Sequence, residues 1–239
     1  MKKKVLLVGY PKSGNTWLGY MLSYLLNAEY LEPGFLSNGC WYSKDSHVLN
    51  LTCGDLKDRM DTGYKSVIKT HIPPATSSKD FSVAKDFKKL TDKVVLIIRE
   101  PKDVAVSYFV YQKIYIKNTR TGIGTTKHIS FFNTMRKWKI HTEKSLQANP
   151  YVVRYEDLLI TSANTLKNLL LYLDVEPNDD LINEALEKFK LKNLKNASDF
   201  SSKFFRKGIV GDYKNHFSKI DYLLYNLLCR DLAVRLGYT

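Results

Sequence analysis

The feature that most constrains the fold is a strand–loop–helix pattern near the start of the chain. The apolar run Val5–Val8 is followed by Gly9–Trp17, which reads Gly-Tyr-Pro-Lys-Ser-Gly-Asn-Thr-Trp, and then by apolar residues at helical spacing up to Leu26. A loop that opens a helix in this way directs backbone N–H groups at an anion. We therefore predict a phosphate-binding loop.

The position of the lysine separates this loop from the ATP-binding kind. Gly9 and Gly14 have the glycine spacing of the nucleotide-hydrolase loop, in which lysine directly follows the second glycine. Here Asn15 follows Gly14, and Lys12 lies two residues before it. The displacement indicates an anion other than ATP.

Alternating strand and helix patterns predict the fold class. Further apolar runs at Ser66–Ile68, Val94–Ile98 and Tyr151–Val153 are typical of parallel strands buried on both faces. Helical patterns cover Trp17–Leu26, Asp103–Lys117, Phe131–Leu146, Ala163–Leu173, Leu181–Phe189 and Ile220–Leu236. We predict one α/β domain over residues 1–239, with a central, mostly parallel sheet flanked by helices. The less regular residues 30–62 are predicted to form a lid or pocket wall.

Charge and cysteine content narrow the class of protein. The formal net charge of +13 favours anionic ligands, whether a nucleotide, a nucleic acid or a membrane surface. The lysines are spread along the chain, and no helix-turn-helix, zinc or RNP-type pattern occurs, so we expect no nucleic-acid partner. Three cysteines without metal or CxxC spacing indicate a reduced, cytoplasmic protein. The apolar run after Met1 is too short for an export signal, and no window of about 20 apolar residues predicts a membrane span.

Three further segments place chemistry-bearing residues near predicted strand ends or in loops. Arg99 follows Val94–Ile98, where a nucleotide hydrolase usually has an aspartate for Mg²⁺, and Ser107 lies about two turns into the next helix. His71 follows the strand Tyr64–Ile68, and its ordinary pKa near 6.5 suits a general base. The segment Phe205–Phe217 contains adjacent cations followed by two glycines three residues apart, which is typical of an anion-binding loop.

In this order, Y-P-K-S-G-N-T-W, K-T-H-I-P, R-x-P-K-D-x-x-V-S and R-K-G-x-x-G-D-x-K-N-H-F resemble the cytosolic-type sulfotransferases. The resemblance runs from Gly9 to Phe217 and includes the segment Val153–Leu158. It implies the P-loop NTPase-like sulfotransferase fold and transfer of a sulfuryl group from 3′-phosphoadenosine 5′-phosphosulfate (PAPS), with 3′-phosphoadenosine 5′-phosphate (PAP) as the product. The acceptor would be a hydroxyl, or alternatively an amine, of a small organic molecule, and no metal would be required.

The same resemblance implies a role for each matching residue. His71 would be the general base, and Lys12 would stabilise charge on the departing phosphate. Lys69 would support the transferring group, and Ser107 would hold the 3′-phosphate and is counted with Lys12, His71 and Lys69 among the catalytic residues. The implied donor-binding residues are Lys12, Ser13, Gly14, Asn15, Thr16, Trp17, Arg99, Ser107, Tyr155, Arg206, Lys207 and Gly208.

Departures from the family pattern affect the expected adenine contact and the expected oligomeric state. Around Lys188–Leu194 the adenine-contacting Thr/Ser-x-Phe is not evident, so contact between Phe189–Leu191 and adenine stays open. In the dimer signature, Leu223 stands where the family has glutamate, so we expect a monomer or a dimer of another kind. Residues 30–62, 109–135 and 197–205 are expected to line the acceptor pocket.

The rival enzyme class, an ATP-dependent kinase, is disfavoured by the missing G-K-[ST] and the missing strand-end aspartate.

Overall fold

Six strands form one sheet in the order β3-β2-β4-β1-β5-β6 in a computed structural model that describes residues 2–36, 39–43, 61–73, 91–115, 126–196 and 208–238. The strands are β1 (Lys3–Val8), β2 (Glu29–Leu36), β3 (Gly39–Ser43), β4 (Tyr64–Thr70), β5 (Lys93–Ile98) and β6 (Tyr151–Arg154). Five of them pair in parallel, and β3 adds to β2 in antiparallel orientation at the edge. The predicted central, mostly parallel sheet is confirmed.

The apolar strands are buried because helices cover both sheet faces. Along β1, Val5 and Leu7 belong to one core, whereas Leu6 and Val8 belong to the other. Alternate side chains of a strand point to opposite faces, so a strand buried on both faces needs a continuous apolar run. This requirement explains why periodicity predicted β1, β4, β5 and β6.

The helices divide between these two cores. The helices with residues in the first core are α1 (Asn15–Leu25), α4 (Tyr155–Ile160), α5 (Ser162–Tyr172), α6 (Asp179–Lys188) and α7 (Leu191–Asn196). Those with residues in the second core are α2 (Pro101–Tyr115), α3 (Lys127–Leu146), α8 (Lys219–Leu228) and α9 (Arg230–Arg235). A short 3₁₀ helix covers Asp212–Asn215.

Several elements differ from the sequence predictions, and the short helices α4 and α7 are among those that carried none. The helix expected over Ile220–Leu236 is interrupted at Cys229, where φ is −124°. The buried Cys229 thiol donates to the Met135 carbonyl of α3 at 3.2 Å, so packing against α3 overrides the continuous helical period. Within residues 30–62, which carried no strand prediction, β2 and β3 form a hairpin at the sheet edge.

The described ranges contain neither a membrane-spanning helix nor a metal-binding cluster. No helix there combines the length and apolar content needed to cross a bilayer. The same residues contain no group of three or more His, Cys, Asp or Glu side chains that is placed to hold a metal ion. That the reaction requires no metal remains a prediction from the family resemblance.

Candidate active site

Four neighbouring strands end side by side, and a predicted site segment directly follows each of them. Val8 of β1 pairs with Thr70 of β4, and Ile98 of β5 pairs with Arg154 of β6. Gly9, His71, Arg99 and Tyr155 are the next residues along the chain. Since β1 has β4 on one side and β5 on the other, its end is the point where ligands bind in open α/β sheets.

The loop after β1 has the backbone conformation of an anion cradle. Gly14 caps α1 with a φ of 99°, and Lys12 has a φ of 72°, which is uncommon for a residue other than glycine. The first turn of α1 contains no acidic residue, and no side chain caps its N-terminus. The N–H groups of this turn and the helix dipole are therefore suited to an external anion.

Buried polar groups at this edge are suited to an anionic ligand. Within the described part of the chain, the Ser13 hydroxyl and the Arg99 Nε have no hydrogen-bond partner although both are buried. Ser107, on α2, is also buried. Buried donors are normally paired, so unpaired ones beside a phosphate loop fit phosphate oxygens.

Gly9 is required where the loop meets the strands. A Cβ at this position would lie 2.1 Å from Asn15 Oδ1 and 2.7 Å from the Ile97 carbonyl. Asn15 is itself fixed, because its Nδ2 donates to the Tyr10 carbonyl at 3.0 Å. Close packing against the Asn15 side chain and the Ile97 carbonyl therefore excludes any side chain at Gly9.

Arg99 joins the phosphate loop to the segment that begins at Gly208. Its Nη2 donates to the Ile209 carbonyl at 3.1 Å, and its Nη1 lies 3.4 Å from the Lys12 carbonyl. The guanidinium carbon lies 4.4 Å from the centre of the Tyr155 ring. The predicted residues Lys12, Arg99, Tyr155 and Gly208 thus lie in one neighbourhood.

Asp103 of α2 holds the Gly208 segment in place. Its carboxylate accepts hydrogen bonds from the backbone N–H of Gly211 at 2.7 Å and of Tyr213 at 3.0 Å. Gly208 and Gly211 have positive φ angles of 64° and 83°, which the pair of glycines permits. The predicted basic residues Arg206 and Lys207 lie outside the described residues.

His71 is fixed in one tautomer by the phosphate loop. Its Nδ1 lies 2.7 Å from the Gly9 carbonyl, which can only accept, so Nδ1 carries the proton and Nε2 carries the lone pair. Although part of His71 is exposed to solvent, desolvation by the surrounding protein and, to a smaller extent, repulsion from Lys69 together lower the pKa of His71 to about 4. His71 is therefore neutral at physiological pH, with Nε2 as its basic nitrogen.

Two lysines lie close enough to His71 to disfavour its protonation, namely Lys69 and Lys12. Lys69 is buried at the end of β4. The Lys12 Nζ lies 4.7 Å from the centre of the Tyr111 ring of α2. The site therefore combines a neutral imidazole with two ammonium groups, an arrangement that can accept a proton and stabilise negative charge.

Aromatic residues mark the other side of the loop. Trp17 packs edge-to-face on Tyr155, with ring centres 5.8 Å apart, and its Nε1 donates to the Phe189 carbonyl at 2.9 Å. The Phe189 side chain is buried in the core. Of the segment Phe189–Leu191, whose contact with adenine the sequence left open, the Phe189 backbone thus contacts Trp17.

The structure brings two further residues to this site: Tyr111, which lies within the residues 109–135 expected to line the acceptor pocket, and His141, which carried no site prediction. Tyr111 faces Lys12, and His141 of α3 donates to the His71 carbonyl. Each lies within a helical pattern, where nothing in a single sequence separates a site-facing residue from a core residue. Most of the expected acceptor-pocket segments, including all of residues 197–205, lie outside the described residues.

The parallel sheet, the phosphate loop at its central strand and the arginine at the adjacent strand end define an α/β protein that binds a nucleotide-type anion. The family model of the sulfotransferase domain matches residues 2–230. The chain therefore belongs to the sulfotransferase family and is an enzyme of the PAPS-dependent sulfotransferase class. The resemblance found in the sequence is confirmed.

Individual relatives agree with this family. Cytosolic sulfotransferase 1 of Danio rerio is 27% identical over 237 residues, which cover 90% of this chain and 77% of the relative. The structure of mouse sulfotransferase SULT7A1 complexed with PAP has a TM-score of 0.68 at 22% identity and covers 99% of this chain and 88% of that one. A retinol dehydratase complexed with androsterone and PAP has a TM-score of 0.67 at 16% identity, over 96% and 80% of the two chains.

Proposed function

We propose that the protein transfers the sulfuryl group of PAPS to a hydroxyl of a small organic acceptor, with His71 as general base and Lys12 stabilising the departing phosphate. The observation that carries the proposal is the hydrogen bond between His71 Nδ1 and the Gly9 carbonyl. It ties the basic imidazole to the phosphate loop, so that proton acceptor and anion cradle belong to one rigid unit.

The donor would be held by the residues that the structure brings to the sheet edge. Residues 12–17 would bind the 5′-phosphosulfate with backbone N–H groups and the Ser13 hydroxyl. Arg99 and Ser107, with Arg206, Lys207 and Gly208, would bind the 3′-phosphate. The buried Arg99 Nε supports this assignment because it is a charged donor without a partner in the described ranges. Trp17 and Tyr155 would contact the adenine.

The chemistry that the donor supplies is a sulfuryl group bonded through an oxygen to the 5′-phosphate. His71 Nε2 would take the proton of the acceptor hydroxyl as the hydroxyl oxygen forms its bond to sulfur. Lys12 would stabilise the negative charge that develops on the phosphate as the bridging bond breaks, and Lys69 would stabilise the transferring group. Such in-line transfer depends on positioning and charge stabilisation.

Binding of the product PAP tests the assignment of the donor site. We expect PAP, at about 100-fold its Kd, to stabilise the protein by about 2.7 kcal/mol, seen as a rise in Tm, whereas Mg·ATP at the same concentration leaves Tm unchanged. AMP, which lacks the 3′-phosphate, is the matched control and should bind more weakly than PAP because Arg99 would lose its anion. Stabilisation by Mg·ATP without stabilisation by PAP would refute the proposal.

The pH dependence of kcat/KM should reflect the unusual His71. Because desolvation by the surrounding protein and repulsion from Lys69 lower the pKa of His71 to about 4, the imidazole is expected to stay neutral below pH 6.5. We expect the acidic limb of kcat/KM to lie below pH 6.5, and Lys69→Met to move that limb to higher pH by removing a repelling charge. An acidic limb of the unmodified enzyme at pH 6.5 or above would contradict this assignment.

The acceptor, the compartment and the oligomeric state form the remainder of the proposal. A small-molecule acceptor follows from the family, and a sulfation assay over phenols, alcohols, sugars and amines would separate hydroxyl from amine acceptors. We propose a cytoplasmic location, as for the cytosolic relative from Danio rerio. Leu223 of α8, which replaces the glutamate of the dimer signature, is exposed in this structure, and a monomer or a different dimer stays our prediction.

A further inference from the structure

We infer that His141 is a positioning residue for the proposed reaction, acting through the backbone of His71 rather than on the reactants. This inference rests on the proposed function, in which His71 is the base. His141 lies on α3, 70 residues along the chain from His71, and is only 7% exposed. Its Nε2 lies 3.1 Å from the His71 carbonyl.

The protonation state of His141 follows from this contact. A carbonyl accepts only, so Nε2 carries the proton and donates, and the lone pair is on Nδ1. That Nδ1 is buried and has no hydrogen-bond partner among the described residues. Burial, and then repulsion from His71, keep the pKa of His141 well below its ordinary value. His141 is therefore a neutral donor, and within the described residues its ring donates to the carbonyl of the residue that carries the base.

His141 also touches the phosphate loop. Its ring meets the Tyr10 ring edge-to-face, with centres 5.6 Å apart. Tyr10 directly follows Gly9, whose carbonyl accepts from His71 Nδ1. The four residues therefore form a closed set of contacts: His141 donates to the main chain of His71, the His71 ring donates to Gly9, and Tyr10, which follows Gly9, packs on His141.

The closed set has a consequence for catalysis. β4 ends at Thr70, so the His71 carbonyl lies beyond the last ladder residue of the strand and needs another donor to hold it. His141 supplies that donor. Without it, the backbone of His71 can rotate, and the basic Nε2 loses its direction toward the acceptor. A displacement of about 1 Å at a reacting group can lower the rate by about 10²-fold.

Three substitutions separate the donor from the packing. His141→Leu removes the donor, His141→Phe also removes it but keeps a ring against Tyr10, and His141→Gln places an amide N–H where Nε2 was. We expect kcat to fall about 10- to 100-fold in the Leu and Phe variants and to return to within about threefold in the Gln variant. KM for PAPS and the affinity for PAP should change by less than about threefold, because in the loop His141 contacts Tyr10, which is not among the residues proposed to bind the donor.

A double-mutant cycle with His71 tests whether His141 acts through the base. In the His71→Ala background, His141→Leu should change kcat by less than about twofold, since the ring that it positions is absent. Equal losses in both backgrounds, or PAP affinity falling in parallel with kcat, would overturn the inference and assign His141 a general role in stability. If His141→Leu does not fold, His141→Asn, whose amide is too short to reach, replaces it in the cycle.

Nitrogen NMR of the imidazoles gives a readout that needs no turnover. The unmodified protein should show His71 as the Nδ1–H tautomer, and His141→Leu should show exchange between tautomers, whereas His141→Gln should restore the first pattern. An unchanged His71 tautomer in His141→Leu together with unchanged kcat would refute the positioning role. If the unmodified protein binds PAP but transfers no sulfuryl group, the proposed function is refuted. The tautomer measurement would still show whether His141 positions His71.

Discussion

Replacing His71 with alanine should lower kcat by at least about 10²-fold, the usual cost of losing a general base. The affinity for PAP, measured by calorimetry, should fall much less, because the donor is proposed to bind through the loop and the basic residues. The Nδ1 contact with the Gly9 carbonyl is lost in this variant, so some loosening of the phosphate loop is expected.

His71→Asn is the control that separates the two functions of the imidazole. The asparagine Nδ2 can occupy the place of Nδ1 and donate to the Gly9 carbonyl, but it has no basic nitrogen. We expect the Asn variant to be as slow as the Ala variant while binding PAP like the unmodified protein. A kcat within about tenfold of the unmodified enzyme in either variant would show that His71 is not the base.

Lys12→Met should also lower kcat by at least about 10²-fold, because the variant removes the charge proposed to stabilise the departing phosphate. Methionine preserves much of the length of the lysine side chain. Like lysine it is unbranched, so it should tolerate the positive φ of 72° at this position equally well. Since the stabilisation is needed most in the transition state, kcat should fall more than the affinity for PAP. Single-turnover kinetics would measure the chemical step directly.

Lys3→Met is the matched control for charge. Lys3 starts the same strand that Lys12 follows, and it pairs with Asp174 at the opposite end of the sheet. We expect its kcat to stay within about twofold of the unmodified enzyme. An equal loss in Lys3→Met would mean that overall charge, rather than the position of Lys12, determines the rate, and a small loss in Lys12→Met would remove its proposed role.

The core of the fold could be predicted because its strands obey a simple requirement. Val5–Val8 and Val94–Ile98 are continuously apolar since both faces of the sheet are covered, and that pattern is visible in a single sequence. The hairpin of β2 and β3 lies at the sheet edge and carries no such pattern, so it was missed. The interruption at Cys229 depends on a contact with Met135 of α3, which no local pattern contains.

The site shows the same division between local and distant information. The phosphate loop, Arg99 and His71 could be predicted because each directly follows a strand and parallel strands end at one sheet edge. The tautomer of His71 could not, because it depends on the Gly9 carbonyl 62 residues earlier. His141 could not either, since its helical spacing with Trp138 is that of an ordinary core residue, and only the packing of α3 on the sheet brings it to His71.

The side-by-side ending of β4, β1, β5 and β6 implies that the site has no local precursor during folding. Its parts come from four strand ends between Gly9 and Tyr155, and from the Gly208 segment beyond them, so the segments that build the site meet only through long chain closures. A fragment that lacks any one of these strands lacks a wall of the cradle. Capture of the nucleotide is thereby coupled to completion of the sheet, and PAP binding would serve as a sensor of the fully assembled fold.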